Sequence, residues 1–351
     1  MRLLDRVARS NAPLILGLDS HPGRPFDVTA PGHYASQVAH CPLRYVLGDD
    51  LTRACAELAF ADGARLAGCL DLLRMPAPEV WVEWSDEIHQ RVIHATHCAA
   101  ELDAASAGRR VGVYLKTSID GCCAVARTFW AQGFDEAAEV TLSPLESYID
   151  LRGELPEAAS IPGVVGGEFA GVGHSADSPL SSLLGHVRFR FDDSWSVFYR
   201  AASTDTGAER QVVLDSLAAV ARDVPLLLAF FLLLSAKDAT RSLAVSRAAI
   251  NRKRLARGRP PLLDHIEVSA SLDRAYESDS AGIDYAARQS PRLHHVRGHL
   301  VRRDNRVFWR VPHLRGSAAR GMVRSRTVCL SFAKRSAPEA RPAHAGPIRL
   351  Q

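Results

Sequence analysis

The densest grouping of chemically capable side chains runs from residue 291 to 316. It reads Pro291-Arg292-Leu293-His294-His295-Val296-Arg297-Gly298-His299-Leu300-Val301-Arg302-Arg303 and, after Asp304-Asn305, continues through Arg306, Phe308, Trp309, Arg310, Pro312, His313 and Arg315 to Gly316. Between Arg288 and Arg326 stand eleven arginines and a single acid, Asp304. A guanidinium is a planar fork of donors that grips phosphate bidentately and stacks on bases. Phe308 and Trp309 interleave the flat apolar surface on which unpaired bases rest. Arg292, His294, Arg297, Gly298, His299, Arg302, Arg303, Arg306, Trp309, Arg310 and Arg315 are therefore the expected nucleic-acid-binding set. Stacking planes mixed with phosphate donors are what single-stranded RNA recognition uses.

The same residues admit other chemistry. His294, His295, His299 and His313 have no carboxylate or thiolate at ligand spacing, and the surrounding arginines repel a cation, so neither a metal nor another cofactor is expected. Histidines beside arginines can also serve as the general acid and base of a metal-independent ribonuclease. Arg292 and His299, with six residues between them, have the spacing of one such Arg/His motif. That motif belongs on a helix, which Pro291 and Gly298 oppose, so no catalytic residue is assigned and the ribonuclease stands as an alternative. A second alternative is a stoichiometric inhibitor whose basic face docks on an acidic protein.

The charge of the whole chain supports a polyanion partner. Its net +4 divides into 20 Lys and Arg against 31 Asp and Glu over residues 1–240, and 23 against 8 over residues 241–351. An acidic body with a basic end follows. Apolar residues make up 47% of the 351, enough to bury a sizeable core. The seven cysteines are scattered and lack a C-x-x-C pair, which reads as reduced thiols in a cytoplasmic protein rather than a disulfide framework or zinc knuckle. The amphipathic start Met1-Arg2-Leu3-Leu4-Asp5-Arg6 is not read as a signal peptide. The longest apolar run, Val224 to Leu234, is eleven residues and is read as a buried helix, with no membrane partner expected.

Elements that could position the basic segment follow from periodicity. Residues 1–35 look irregular. Leu51, Cys55, Leu58, Leu66, Cys69, Leu70 and Leu73 form a helical stripe over 50–74, which Asp49-Asp50 would cap and Pro76 and Pro78 would stop. Glu79–Trp84 alternates like a strand, and 88–105 suits a helix whose histidines, His89, His94 and His97, are expected at the surface or at an interface. Glu83, Asp86 and Glu87 form an acidic edge with no partner in sight. Strands are expected over 111–117, 122–130, 138–149 and 187–201, with Gly163-Val-Val-Gly166-Gly167 a turn and Asp192-Asp193 a strand end rather than a cation site. A helix begins at Ala208, Asp223 is placed to cap another whose first turn holds Pro225, and this apolar helix is expected to be the central post. One more helix is expected over 240–257, carrying seven basic residues by Arg259 with no acid from Thr240 to Leu263. Strands near 294–303 and 306–314 around Asp304-Asn305, and a third near 323–332, complete the basic module.

Residues 291–316 resemble a module carried by proteins of phages, prophages and plasmids: Pro-Arg-x-His-x-x-Arg-Gly-His, a basic turn, then an aromatic-Arg-Val-x-Pro segment. Among its carriers is a type V-A anti-CRISPR family. The Pro76–Trp84 segment, the Pro225–Asp238 helix and Asn251–Arg254 fall in similar order. The resemblance implies a regulator that lowers production of a target protein at its message, during translation, by engaging RNA or the ribosome–nascent-chain complex. Pro291, Arg292, His294, Arg297, Gly298 and His299 match the module, whereas Val296 stands where the family usually has a second Arg and Leu300 where it usually has Trp.

The expected architecture is α+β: a mixed helix–sheet body over 1–269, a linker over 270–290, a basic Arg/His β-module over 291–332 and a disordered tail over 333–351. The expected function is a mobile-element regulatory protein that binds RNA or the translating ribosome.

Overall fold

A computed structural model of the protein describes residues 2–9, 14–16, 31–97, 108–119, 121, 123–131, 140–151, 180–191, 207–271, 292–296, 299–303, 306–310, 313–315 and 317–322. Alternate residues of strand β3 (Glu79–Ser85) show how the sheet is clothed on both sides. Val80, Val82 and Trp84 enter one apolar cluster, while Trp81 enters another with Leu3, Leu4, Val38, Tyr114 and Phe129. A strand that buries both faces must lie inside a layered body. The next strand, β4 (Arg110–Thr117), repeats the pattern, with Val111, Val113 and Leu115 on the first side and Tyr114 on the second.

The larger sheet has nine strands. In chain order the others are β1 (Leu14–Leu16), β2 (Leu43–Leu47), β5 (Cys123–Ala131), β6 (Val140–Asp150), β7 (Val187–Phe191), β8 (Thr240–Val245) and β9 (His265–Ala270). Their order is β1-β6-β5-β4-β3-β2-β9-β8, with β7 also on β6. β2 runs parallel to β3 and β9, and β3 through β7 are antiparallel neighbours in turn. Helices α3 (Asp49–Ala67), α4 (Asp86–His97), α5 (Ser181–Leu184) and α6 (Gly207–Ser235) supply the larger apolar cluster, and α1 (Leu3–Val7) and α2 (Pro31–His40) supply the smaller. Residues 248–255 form α7. The architecture is α+β, with two small β-sheets formed from the C-terminal part of the chain.

Several expectations are corrected. Residues 1–35 are no irregular lead-in where described: all five residues of α1 are buried, and β1 extends the sheet. Asp223 caps nothing, because α6 runs unbroken through it for 29 residues with Pro225 inside. Packing on both sides holds α6 together where Pro225 offers no N–H to the carbonyl of residue 221. Residues 213–235 are long and apolar enough to cross a membrane, but 78% of the apolar window is buried inside the protein, as in a core helix. The helix expected over 240–257 is instead β8 followed by α7, since β8 pairs with β9 along its length. Residue 48, not Asp49 or Asp50, occupies the N-cap of α3; Asp50 accepts from Leu51 N (2.8 Å) and Ala270 N (3.0 Å) and so ties the helix to β9. The third module strand is Ser317–Met322, and the segment expected to form it, 323–332, lies outside the described residues. The 333–351 tail, Gly163–Gly167, Asp192-Asp193 and nearly all of the 270–290 linker lie outside them too.

The chain forms two compact units, one of residues 1–283 with 297–313, the other of 284–296 with 314–351. The expected module is thus divided. Strands β11 (His299–Arg303) and β12 (Arg306–Arg310) belong to the larger unit, and β10 (Arg292–Val296), β14 (Ser317–Met322) and residues 314–315 of β13 (His313–Arg315) form the sheet of the smaller one.

Candidate nucleic-acid interface

Strands β11 and β12 form an antiparallel hairpin whose register sorts its side chains into two faces. Leu300 opposite Trp309, and Arg302 opposite Val307, alternate onto one face. Leu300 and Val307 are buried in the main core and Trp309 packs against it. Arg302, at the end of this inner face, donates both terminal nitrogens to Asp71 at 2.8 Å and one of them also to the carbonyl of Gly68 at 2.8 Å. That forked contact locks the hairpin to the chain just past α3.

The outer face carries the pairs His299–Arg310, Val301–Phe308 and Arg303–Arg306. Arg303, Arg306 and Arg310 are exposed, and His299 and Phe308 are partly so. The outer face therefore presents three guanidinia around one aromatic ring. Trp309, expected to stack on a base, instead faces the core, and Phe308 holds the outward aromatic position. Arg302 is committed to Asp71.

A second basic element follows in the chain from a residue that borders the hairpin. Lys237 makes a parallel bridge to Phe308, so β12 borders the residues that lead into β8. β8 is a sheet edge, and α7 after it buries none of its side chains. Polar bonds hold the helix in place of burial: Asn251 Nδ2 donates to Leu262 O (2.8 Å), Leu262 N donates to Asn251 Oδ1 (2.8 Å), and Arg254 Nε donates to Pro260 O (2.9 Å). Arg252, Lys253, Arg257 and Arg259 are exposed on this arm, with Leu243, Ile250 and Leu255 also at the surface.

Three of the remaining expected site residues belong to the smaller unit. Arg292 and His294 lie on β10 and Arg315 on β13, all three in the smaller unit; Arg315 is exposed. Arg297 and Gly298 lie outside the described residues.

The largest departure lies beneath the surface. His89 is fully buried on α4, and Asp86 and Asp223 are buried beside it. His89 Nδ1 lies 3.6 Å from Asp223 Oδ1 and 3.9 Å from Asp86 Oδ1, beyond hydrogen-bond reach. Neither ring nitrogen of His89 has a hydrogen-bond partner. Trp130 Nε1 donates to Asp223 Oδ2 at 3.2 Å, Gln90 Nε2 to Asp86 Oδ1 at 3.2 Å, and Arg109 pairs with Asp86 at 3.2 Å. Burial, with Arg222 and Arg109 adding to it, holds the imidazole neutral and its pKa down at about 3. Burial and then the Asp86 charge push the Asp223 carboxyl well above the usual range. The three residues are the one group among those described whose ligand atoms, all within 4.8 Å of one another, could hold a metal ion. The sequence gives Asp86 and His89 an i, i+3 spacing, but nothing in it points to Asp223, 134 positions further on.

No protein-family model, curated protein or solved structure matches the chain.

Proposed function

We propose that this protein is a cytoplasmic RNA-binding regulator of the kind mobile elements carry, which engages RNA or the translating ribosome through the hairpin's outer face and the basic arm of residues 241–259. The observation that carries the reading is the exposed trio Arg303, Arg306 and Arg310 around Phe308, and it is joined by an arm with seven basic residues and no acid between Thr240 and Leu263. Phosphate is gripped by the forks and a base is stacked on Phe308, without need of a fixed sequence. The module resemblance over 291–316 supports lowering the expression of a target as the outcome.

The test is anisotropy of labelled single-stranded RNA across a salt series. The logarithm of affinity should fall with the logarithm of salt at about 0.7 per neutralised phosphate. The triple variant Arg303→Glu, Arg306→Glu, Arg310→Glu should bind about ten-fold or more weakly and with a shallower slope. Affinity independent of salt, or untouched by the triple variant, would refute the reading. Metal-free, multiple-turnover cleavage would promote the ribonuclease instead. A stoichiometric complex with an acidic protein and no RNA affinity would promote the inhibitor.

A further inference from the structure

The Asp86–His89–Asp223 group has the chemistry of an ion site and lacks what a purely structural polar cluster needs. A buried imidazole ordinarily donates from one nitrogen and accepts at the other, because leaving either unsatisfied carries a full desolvation penalty. His89 does neither, and its Nδ1 lies 3.6 and 3.9 Å from two carboxylate oxygens to which it makes no hydrogen bond. Two carboxylates share this dry place, with the Arg109 guanidinium 3.2 Å from Asp86 and Arg222 close enough to act on Asp223. Carboxylates this deeply buried need hydrogen bonds and positive partners on every side, and the side that faces His89 has no hydrogen bond.

The spacing favours a cation. Zinc-class ions bind imidazole nitrogen and carboxylate oxygen at roughly 2.0–2.2 Å, which puts neighbouring tetrahedral ligands about 3.4 Å apart. The separations of 3.6 and 3.9 Å are a few tenths wider than that, and wider than any hydrogen bond. The carboxylates are also oriented from behind: Trp130 holds Asp223, and Gln90 and Arg109 hold Asp86. Ligand carboxylates at metal sites are fixed in this way.

We propose that His89 Nδ1, Asp86 and Asp223 bind one divalent transition-metal ion of the zinc class, which clamps the start of α4 to the middle of α6. The mixed donor set of one imidazole and two carboxylates suits zinc, cobalt or manganese better than magnesium or calcium, which prefer oxygen alone. With α4 and α6 both in the core, the ion is a structural clip. The proposal is independent of the RNA-binding reading.

The test uses the full chain, stripped with chelator and then dialysed against zinc or cobalt at micromolar concentration. Elemental analysis should find about one equivalent retained, and the thermal midpoint should rise on loading. X-ray absorption of the loaded protein should show a shell of nitrogen and oxygen with one imidazole and no sulfur. His89→Gln and Asp223→Asn should lose the ion and the thermal response, whereas His294→Ala and His299→Ala should keep both. The proposal is overturned by a folded wild-type chain that retains no ion, by a shell containing sulfur or several imidazoles, or by unchanged binding in a folded His89→Gln. The absorption spectrum needs only wild-type protein, so it decides the matter even where a variant fails to fold.

Discussion

Glu83 shows what one buried carboxylate does for this chain. It is fully buried, yet both oxygens are in use: Oε1 accepts from Leu3 N at 3.1 Å, Oε2 accepts from Leu4 N at 2.9 Å, and the Arg110 guanidinium pairs with it. A carboxylate at the first amides of α1 satisfies donors that no intrahelical carbonyl can reach. Glu83→Ala would orphan those amides and leave Arg110, only 16% exposed, without its counter-charge. The expected loss is about 3–5 kcal/mol, and Glu83→Gln should lose less because an acceptor remains. The control is Glu87→Ala, whose partner Arg91 is 51% exposed. Removing that exposed pair should change stability by about 0.5 kcal/mol or less. Urea titration of the three variants checks the order, and equal losses for Glu83→Ala and Glu87→Ala would refute it. From the sequence, Glu83, Asp86 and Glu87 look alike, three acids on one edge with no partner in sight. What separates them is Arg109 and Arg110, brought alongside when β3 pairs with β4 from Ser85–Arg110 onward, and no local pattern contains that pairing.

At the scale of elements, the strands and helices with one strong period were readable and those without it were not. β4 is legible because Val111, Val113 and Leu115 alternate, and α3 because its stripe recurs every three or four residues. β8 is an edge strand exposed along most of its length, so no buried face imprints a period on it; with α7 close behind, the two read as one helix. The hairpin was legible from Asp304-Asn305 and its flanking alternation, but not which aromatic faces outward, because register decides that. Gly112 illustrates a constraint that lies wholly between elements. A Cβ there would sit 2.3 Å from Trp81 Cζ2 and 2.6 Å from its Cη2, inside a ring that is completely buried. Gly112→Ala should therefore cost about 1–3 kcal/mol by overpacking. Trp81→Phe removes the ring atoms in question, so the double variant should lose less than the two single changes together. Thermal denaturation of all four proteins measures the coupling, and strict additivity would show that the close approach carries no strain.

At the scale of the molecule, the opposite charges of the chain's two portions, −11 over 1–240 and +15 over 241–351, raise the question of how a basic surface is held on an acidic body. The hairpin answers it: its inner face enters the main core through Leu300 and Val307, Trp309 seals the edge, and Arg302 is forked onto Asp71. The hairpin's arginines thus stand on a surface whose stability belongs to the body. Leu300→Ala should consequently act on two quantities at once. Deleting a side chain that is 2% exposed leaves a cavity against the helices, at a cost of about 2–5 kcal/mol. The same change loosens the strand that presents Arg303, so RNA affinity should fall although no charge has been removed. The outer-face variant Arg303→Glu, Arg306→Glu, Arg310→Glu should do the reverse, weakening RNA binding while leaving stability nearly unchanged, since exposed substitutions away from packed contacts move it by about 0.5 kcal/mol. Urea unfolding and RNA anisotropy on the same two preparations separate the effects. If Leu300→Ala left the unfolding midpoint where it was, the hairpin would be an appendage rather than part of the core. If it lowered the midpoint but spared the affinity under conditions where the variant is folded, the fixed placement of the arginines would not be what binds RNA, and their charge alone would suffice.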